Sequence, residues 1–264
     1  MKIKFWQNKN IVITGTSSGI GESLLMELKD IPCRIFALDR SPKKIEFFHN
    51  AEIIPIQCDI SLDSDIIEAQ KQILSKTDTV DVLFNNAGIT THGRFDETDI
   101  SVFRKTFDIN FFGTVHLTSK LIESIKKAKG VIVVTSTVSG LYGVPGRAAY
   151  SSSKSALHAV FESIRIELSE FGVRSILFCP PYTKTNLRTS GLTGAGEKLN
   201  DKQYKGNLLT PNQVAKAMID AAEDPNARLV TMDPKGFFVK ILRLFAPALL
   251  EKQMFKKLYA DFHH

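Results

Sequence analysis

Tyr150 and Lys154 lie four residues apart in a segment, 148–171, whose apolar residues recur at helical spacing. In an α-helix this separation places the two side chains on one face, one turn apart. A free phenol has a pKa of about 10 and is a poor base at neutral pH, but a neighbouring ammonium group stabilises the phenolate. Such a pair can act as a general acid/base that removes or returns a hydroxyl proton while a cofactor carries hydride. By itself, however, Y-x-x-x-K also occurs by coincidence in many helices, which is the alternative interpretation.

Three glycines lie between an apolar run and the helical pattern that follows it. Glycines in such a turn let the backbone approach a pyrophosphate, and the helix offers unpaired N–H groups and the positive end of its dipole. The spacing G-x-x-x-G-x-G differs from the general dinucleotide pattern G-x-G-x-x-G, so an ordinary tight turn is the alternative interpretation. The turn predicts a phosphate site made of Gly15, Ser17, Ser18, Gly19, Ile20 and Gly21.

Asp39 follows the second apolar run, 24 residues after Gly15, where a carboxylate can accept hydrogen bonds from an adenosine ribose. A negative charge about 4 Å away, such as a 2′-phosphate, would be repelled by roughly 4 kcal/mol at an effective dielectric constant near 20. NAD is therefore favoured over NADP, although the adjacent Arg40 could turn inward to receive that phosphate. The alternative for Asp39 is a turn or helix-cap residue before Ser41 and Pro42.

A regular framework must position these groups, and apolar runs alternate with helical patterns along most of the chain. This alternation predicts right-handed crossovers and a parallel sheet covered on both faces. The expected fold is α/β, a single doubly wound Rossmann domain over residues 1–264 with about seven parallel strands flanked by helices. Strands are predicted at 10–14, 33–38, 53–57, 80–84, 131–135, 173–178 and 228–232, and helices at 20–30, 63–75, 101–127, 148–171 and 211–222.

Two segments depart from this alternation. Residues 185–206 are rich in Gly, Thr and Lys and follow the sixth strand, where a substrate lid is expected in an open parallel sheet. Residues 235–264 combine large apolar and basic residues with a net charge of +4, which predicts an amphipathic helical tail. This tail either packs on the substrate mouth or a partner subunit, or makes peripheral contact with a membrane surface.

The composition excludes several other classes of protein. Hydrophobic residues make up 43% and charged residues 23% of the 264 residues, which supports a sizeable core. The longest nearly apolar stretch, 244–250, is far shorter than the roughly 20 residues of a membrane-spanning helix, and no secretory signal is expected. The net charge of +6 favours anionic partners, but no basic block or motif indicates nucleic-acid binding.

The cysteines and histidines indicate neither disulfides nor a metal. Cys33, Cys58 and Cys179 are odd in number, far apart and set among apolar residues, which predicts reduced core thiols in a cytoplasmic protein. The six histidines are dispersed or terminal, so no metal site is predicted.

Several motifs occur together in the order typical of one family. They are T-G-x-x-x-G-x-G at 14–21, Asn85-Asn86-Ala87-Gly88, Asn110, Gly140, Pro145, Tyr150-x-x-x-Lys154 and Pro180. In this order and spacing the chain resembles the "classical" branch of the short-chain dehydrogenase/reductase superfamily over about residues 10–232. The resemblance implies a nicotinamide-dependent enzyme, and family members are often homodimers or homotetramers through the helices that carry Asn110 and Tyr150.

The resemblance also implies roles for individual residues. Tyr150 would be the general acid/base, Lys154 would lower its pKa and bind the nicotinamide ribose, and Asn110 would hold the water of a proton relay. Taken without the family pattern, Asn110 is an ordinary polar helix residue. Further cofactor contacts are implied for Asp59 and Ile60 at the adenine, for Asn86, Ala87 and Gly88 beside the adenosine half, and for Pro180, Thr183 and Thr185.

Two positions depart from the family pattern. The substrate-orienting serine, thirteen residues before the tyrosine, is Thr137 here, which keeps a hydroxyl but adds a methyl group, and Ser139 is the next candidate. The usual Pro-Gly after the sixth strand is Pro180-Pro181, and the second proline lacks the N–H that would contact a nicotinamide carboxamide.

The leading hypothesis is an NAD(P)-dependent oxidoreductase that interconverts a secondary alcohol and a ketone on a lipophilic substrate. A 3-oxoacyl-carrier-protein reductase is the alternative within the same chemistry, because a basic protein suits an acidic carrier. A nucleotide-sensing or membrane-docking module without catalysis is the alternative from another class, suggested by Thr137 and Pro181.

Overall fold

The computed structural model of the chain describes residues 1–43, 50–199 and 208–258. Its centre is a seven-stranded parallel sheet in the order β3-β2-β1-β4-β6-β7-β9. The chain therefore reverses direction across the sheet between β1 and β4, which leaves a crevice at their carboxyl ends. The strands are β1 (Asn10–Thr14), β2 (Arg34–Asp39), β3 (Glu52–Gln57), β4 (Val82–Asn85), β6 (Val131–Thr135), β7 (Arg174–Cys179) and β9 (Leu229–Thr231), with β5 (Thr91–His92) and β8 (Leu192–Thr193) forming a separate parallel pair.

Helices cover both faces of the sheet, which explains why its central strands are continuously apolar. On one face α2 and α7 enclose a core that includes Leu24 and Met218, and on the other α3, α5 and α6 enclose a core that includes Leu121 and Phe161. The helices are α1 (Ile3–Trp6), α2 (Gly19–Leu28), α3 (Asp63–Leu74), α4 (Ile100–Phe107), α5 (Gly113–Ala128), α6 (Ala148–Glu167), α7 (Pro211–Glu223), α8 (Pro234–Phe245) and α9 (Pro247–Leu258). The predicted α/β doubly wound fold is confirmed.

One predicted helix is wrong in a way that concerns the site. The segment 101–127 is not a single helix, because a π-helical stretch, Asp108–Phe112, separates α4 from α5. A π-helical turn inserts an extra residue and changes the direction of side chains, so it often occurs at functional sites. Helical periodicity could not locate it, since the apolar spacing continues on both sides.

The lid and the tail are described only in part. Residues 200–206 of the lid and 259–264 of the tail lie outside the described residues, but β8 lies in the lid and pairs with β5. The described part of the tail forms α8 and α9. Within the described ranges, every helix is too short or too polar to cross a bilayer.

Candidate active site

Three consecutive residues at and directly after the end of β6 each contact a side chain on one face of α6. Lys154 Nζ donates to the Thr135 carbonyl at 2.8 Å, and Ser136 Oγ and His158 Nε2 lie within hydrogen-bonding distance at 2.7 Å. The third pair is Tyr150 and Thr137, whose hydroxyl lowers the pKa of the phenol. Because positions 150, 154 and 158 occupy successive turns of one helix face, the last residue of β6 and the two residues after it meet three stacked side chains. We call these six residues, Thr135, Ser136, Thr137, Tyr150, Lys154 and His158, the α6 seam.

Burial changes the acid–base properties of the α6 seam. Lys154 is 4% exposed, and its desolvation lowers the pKa to about 8. Tyr150 is partly buried, and desolvation of its phenol raises the pKa to about 12, against the lowering effects of the Arg147 charge and the Thr137 hydrogen bond. Arg147 is the cation that lowers the pKa of Tyr150 here, and the lowering of that pKa by Lys154 stays a prediction.

Asn110 lies fully buried in the π-helical stretch and faces the end of β4. Its Oδ1 accepts from the Ile89 N–H at 2.8 Å, and its Nδ2 donates to the Ile89 carbonyl at 3.0 Å and to Ser153 Oγ at 3.1 Å. A Cβ added to Gly88 would lie 2.9 Å from Asn110 Oδ1 and 3.4 Å from Lys154 Nζ. The amide thus holds residues 88 and 89 beside the lysine, whereas its role in holding a relay water stays a prediction.

The glycine turn has the shape that a pyrophosphate needs. Gly15 and Gly19 have φ angles of +75° and +61°, in the left-handed region that favours glycine. A Cβ on Gly21 would lie 2.1 Å from the Gly15 carbonyl oxygen, so only glycine lets α2 begin this close to the turn. The first amides of α2 have no intrahelical acceptor and point towards this turn. These residues fit the phosphates of a dinucleotide.

Asp39 supports this turn through the backbone. Its Oδ2 accepts from the Ser17 N–H at 3.0 Å, and its Oδ1 accepts from the Ser41 N–H, also at 3.0 Å. Ser17 Oγ also donates to the Ser41 carbonyl at 2.6 Å. Asp39 therefore has the turn-capping role that was the alternative interpretation, and each oxygen retains a lone pair for a ribose hydroxyl. Arg40 is exposed beside it.

Thr14 is a structural residue that the sequence analysis did not assign. Its Oγ1 accepts from the backbone N–H groups of Asn86 and Ala87, each at 2.9 Å, and Asn86 Nδ2 donates to the Thr14 carbonyl at 3.1 Å. These bonds hold 86–88 against Gly15, whose added Cβ would lie 3.1 Å from the Ala87 Cα. The signal was present in the sequence, since a hydroxyl directly precedes the first glycine of the turn.

The residues expected at the adenine make local contacts in the structure. Asp59 Oδ1 accepts from the N–H and the hydroxyl of Ser61 at 2.9 and 2.6 Å, which caps the turn into α3. Ile60 is 7% exposed, and its carbonyl would lie 2.2 Å from a Cβ on Gly113. Both residues follow β3 at the edge of the crevice, and their contact with adenine stays a prediction.

The lid begins directly above the glycine turn. The Thr185 methyl would lie 3.1 Å from a Cβ on Gly19, so the structure brings Thr185 to the predicted phosphate site. Thr183 Oγ1 donates to the Pro181 carbonyl at 2.9 Å, and the Thr185 N–H donates to the Thr183 carbonyl at 2.8 Å. Pro180 follows β7 on the same side of the sheet.

Two site residues were missed by the sequence analysis, and both had a visible signal. His158 continues the four-residue series of Tyr150 and Lys154 along α6, and it meets Ser136. Arg147 lies three residues before Tyr150 and acts on its phenol. Within the part of the chain that the structure describes, no group of His, Cys, Asp and Glu is arranged to hold a metal ion.

Comparison with known proteins agrees with this geometry. The family model "short chain dehydrogenase" matches residues 9–194. "Dehydrogenase/reductase SDR family member 7B" from Xenopus tropicalis is 32% identical over 263 residues, which cover 93% of this chain and 84% of that protein.

Two solved structures share the fold. A short chain dehydrogenase from Burkholderia cenocepacia in complex with NADP has a TM-score of 0.78 at 20% identity, covering 96% of this chain and 99% of that chain. A short chain dehydrogenase/reductase from Burkholderia phymatum in complex with NAD has a TM-score of 0.78 at 20% identity, covering 93% and 96%.

Proposed function

Since the chain belongs to the short-chain dehydrogenase family, we propose that it is a nicotinamide-dependent oxidoreductase that interconverts a secondary alcohol and a ketone. The observation that carries this proposal is the α6 seam, which places Tyr150 against Thr137 and Lys154 near the crevice that the glycine turn borders. The nicotinamide ring, when bound, supplies or accepts a hydride.

The residues of the chain move and hold the proton. Tyr150 donates its phenolic proton to the substrate oxygen during reduction and removes it during oxidation. The Thr137 hydroxyl donates a hydrogen bond to the same oxygen and orients it. Lys154 is held by the Thr135 carbonyl and has a pKa of about 8. Because this pKa is close to physiological pH, the ammonium group can take part in returning a proton to the phenol.

Replacing Tyr150 with phenylalanine tests this function. Tyr150→Phe removes the proton donor and keeps the ring, so turnover should fall by about 10³-fold while nucleotide affinity changes less than about twofold. Tyr142→Phe, the same chemical change in the preceding loop, is the matched control and should retain turnover. Wild-type turnover in Tyr150→Phe would refute the mechanism. Tight nucleotide binding by wild-type protein without turnover of any alcohol would favour the non-catalytic alternative.

For the cofactor, NAD stays the favoured partner and NADP the alternative. Asp39 supports NAD, since its carboxylate faces Ser17 of the glycine turn and would repel a 2′-phosphate. Arg40 supports NADP. Of the two solved structures that share the fold, one contains NADP and the other contains NAD, so they favour neither cofactor. A kcat/KM for NADH at least tenfold above that for NADPH would support the preference, and the reverse ratio would refute it.

We propose that the substrate is lipophilic, because the tail is rich in large apolar residues and lies beside the α6 seam. A Cβ on Gly236 would lie 3.3 Å from a Val138 methyl, and Arg243 donates to the Leu141 carbonyl at 2.6 Å. Since Val138 directly follows Thr137, the tail borders the substrate side of the seam. These contacts support packing on the substrate mouth, which is one of the two predicted roles of the tail.

The outer side of the tail supports the other predicted role, peripheral contact with a membrane. Leu244 and Phe245 are 74% and 82% exposed, and Lys252 and Lys256 are exposed further along the same helix pair. An apolar surface flanked by lysines suits the interface of an anionic bilayer. We therefore propose that the enzyme associates with a membrane surface. We also propose that it is cytoplasmic, which its three buried free cysteines support.

The assembly in this proposal is a homodimer or homotetramer formed through α5 and α6. Phe112, in the π-helical stretch directly before α5, is 57% exposed, and Ile166, near the end of α6, is 76% exposed. Apolar side chains therefore face outward at the start of α5 and at the end of α6. Light scattering after size exclusion measures the mass directly. A monomer at micromolar concentration, or an oligomer unchanged by Ile166→Glu and Phe112→Glu, would contradict this assembly.

A further inference from the structure

Ser136, directly after β6, is fixed by two short hydrogen bonds. Its N–H donates to the Phe178 carbonyl of β7 at 2.7 Å, and its hydroxyl lies 2.7 Å from His158 Nε2 of α6. Ser136 is 1% exposed and His158 is 8% exposed, so water competes little for this pair. Because both its backbone and its side chain are bonded, Ser136 gives the loop that follows β6 a fixed starting point.

The same imidazole ring also contacts the far end of this loop. Residues 138–140 form a short 3₁₀ turn, in which the Gly140 N–H donates to the Thr137 carbonyl at 2.9 Å. A Cβ on Gly140 would lie 3.0 Å from His158 Nε2 and 3.0 Å from Ser136 Oγ, so a side chain at this position would crowd the pair. The loop therefore contacts His158 at residue 136 and again at residue 140.

Thr137 lies between these two fixed points. Its hydroxyl oxygen accepts from the Ser139 N–H at 3.3 Å, which occupies one lone pair and leaves the hydroxyl proton available for another acceptor. The orientation of this hydroxyl is therefore set by the loop backbone, and the position of the loop backbone is set at both ends by contacts with His158.

His158 itself is too far along α6 to touch the reacting atoms. It follows Tyr150 by eight residues, which is about 12 Å along the helix axis at a rise of about 1.5 Å per residue. Any effect of His158 on the reaction must therefore pass through another residue, and the residue held between its two contacts is Thr137. Because α6 carries both Tyr150 and His158, one helix places the acid/base directly and the orienting hydroxyl through the imidazole.

We propose that His158 is a positioning residue for Thr137, and that it acts through Ser136 and Gly140 to direct the Thr137 hydroxyl to the substrate oxygen. The inference rests on the proposed function, in which Thr137 orients that oxygen and Tyr150 exchanges its proton. A displacement of about 1 Å can lower a rate by about 10²-fold, so a small shift of this loop is sufficient to reduce turnover.

A double-mutant cycle between His158 and Thr137 tests the proposal. Thr137→Ala removes the hydrogen-bond donor and should lower kcat by about 10²-fold. His158→Leu should lower kcat by about tenfold, with nucleotide affinity changed less than about twofold. In the Thr137→Ala background, His158→Leu should change kcat by less than about twofold, because no hydroxyl remains to be positioned. Losses that multiply in the double variant, or wild-type kcat in either single variant, would overturn the proposal.

Matched variants separate positioning from a general loss of stability. His158→Gln keeps a polar atom near Ser136 and should recover kcat to within about threefold of wild type. Ser175→Ala is the control, since it removes another buried hydroxyl that bonds to α6, at the Phe161 carbonyl 3.1 Å away. It should lower stability in urea and leave kcat unchanged. A loss of kcat in Ser175→Ala equal to that in His158→Leu would show that kcat follows stability, and would overturn the proposal.

A second cycle covers the case in which His158→Leu does not fold. Ser136→Ala removes the other half of the pair, so it should repeat the tenfold loss and should likewise have little effect in the Thr137→Ala background. The outcomes also distinguish this inference from the proposed function. If Tyr150→Phe retains turnover, the proposed function fails. If Tyr150→Phe loses turnover but the losses at 137 and 158 multiply, only the positioning role of His158 fails.

Discussion

The α6 seam and the outer face of the tail are opposite exceptions to the usual distribution of side chains. In the α6 seam, Ser136, Lys154 and His158 are polar or charged but at most 8% exposed, and each has a bonded partner. In the tail, Leu244 and Phe245 are large and apolar but more than 70% exposed. Buried polar groups lower stability unless they are paired, and exposed apolar groups favour contact with another surface.

This difference suits the α6 seam to acid–base chemistry and the outer face of the tail to binding another surface. Unfavourable burial in the α6 seam shifts the pKa values of Lys154 and Tyr150 in opposite directions, which is typical of groups that carry chemistry. Exposure in the tail costs the folded protein little but leaves apolar area available for binding. Substitutions in the seam should therefore change stability and turnover, whereas substitutions at Leu244 and Phe245 on the outer face of the tail should change only what the protein binds.

The largest effect on stability is expected at Lys154. Burial holds its folded-state pKa at about 8, below the value of 10.5 of an unperturbed lysine. At this lysine the unfolded chain binds more protons between these two pH values, so the contribution of Lys154 to the free energy of unfolding should rise with pH across that window by an amount on the order of 2–3 kcal/mol. Burial raises the pKa of Cys33 to about 11 and that of Cys58 to about 12, which lowers stability above about pH 9 in wild type and variant alike, so the difference between the two proteins is the readout. In Lys154→Met this rise should be absent, and turnover should fall by about 10²-fold or more.

Urea denaturation at several pH values from 7 to 10 measures the difference between the two proteins. Lys216→Met is a suitable control, because that lysine is 60% exposed and only 3.9 Å from Glu27, and it should leave the pH dependence unchanged. A pH-independent stability difference for Lys154→Met would mean that the folded protein does not lower the pKa of this lysine.

A smaller effect is expected at His158. In His158→Leu the buried Ser136 hydroxyl loses a partner at 2.7 Å, which should lower the free energy of unfolding by about 1–3 kcal/mol. His158→Gln keeps a polar atom near the hydroxyl and should recover part of that loss. Equal stability of the two variants in urea would show that the hydrogen bond does not stabilise the seam.

The smallest change in stability is expected in the tail. Phe245→Glu and Leu244→Glu alter side chains that are mostly in solvent, so the free energy of unfolding should stay within about 0.5 kcal/mol of wild type. Flotation with vesicles of phosphatidylcholine and phosphatidylserine should nevertheless fall several-fold. Phe95→Glu, at a phenylalanine that is 75% exposed elsewhere, is the matched control. A changed elution volume with unchanged flotation would assign the face to a second copy of the chain.

Much of the framework was predictable because it depends on local pattern. Continuous apolar runs predicted all seven strands of the main sheet within a residue or two, since strands buried on both faces need no alternation. The glycine turn was also readable, because positive φ angles and close contacts leave few alternatives to glycine. The π-helical stretch around Asn110 was not readable, because it depends on how the end of β4 meets α5.

The sequence by itself determined the order of elements, the glycine turn and the pairing of Tyr150 with Lys154 on one helix face. Each of these follows from residue types and from spacings of a few residues, which local geometry converts directly into position. The tertiary structure decided the pKa of the Tyr150 phenol: burial raises it most, Arg147 and Thr137 lower it, and Tyr182 and Cys179 raise it. Burial and charge depend on residues far apart in the chain, so a pKa cannot be read from spacing alone.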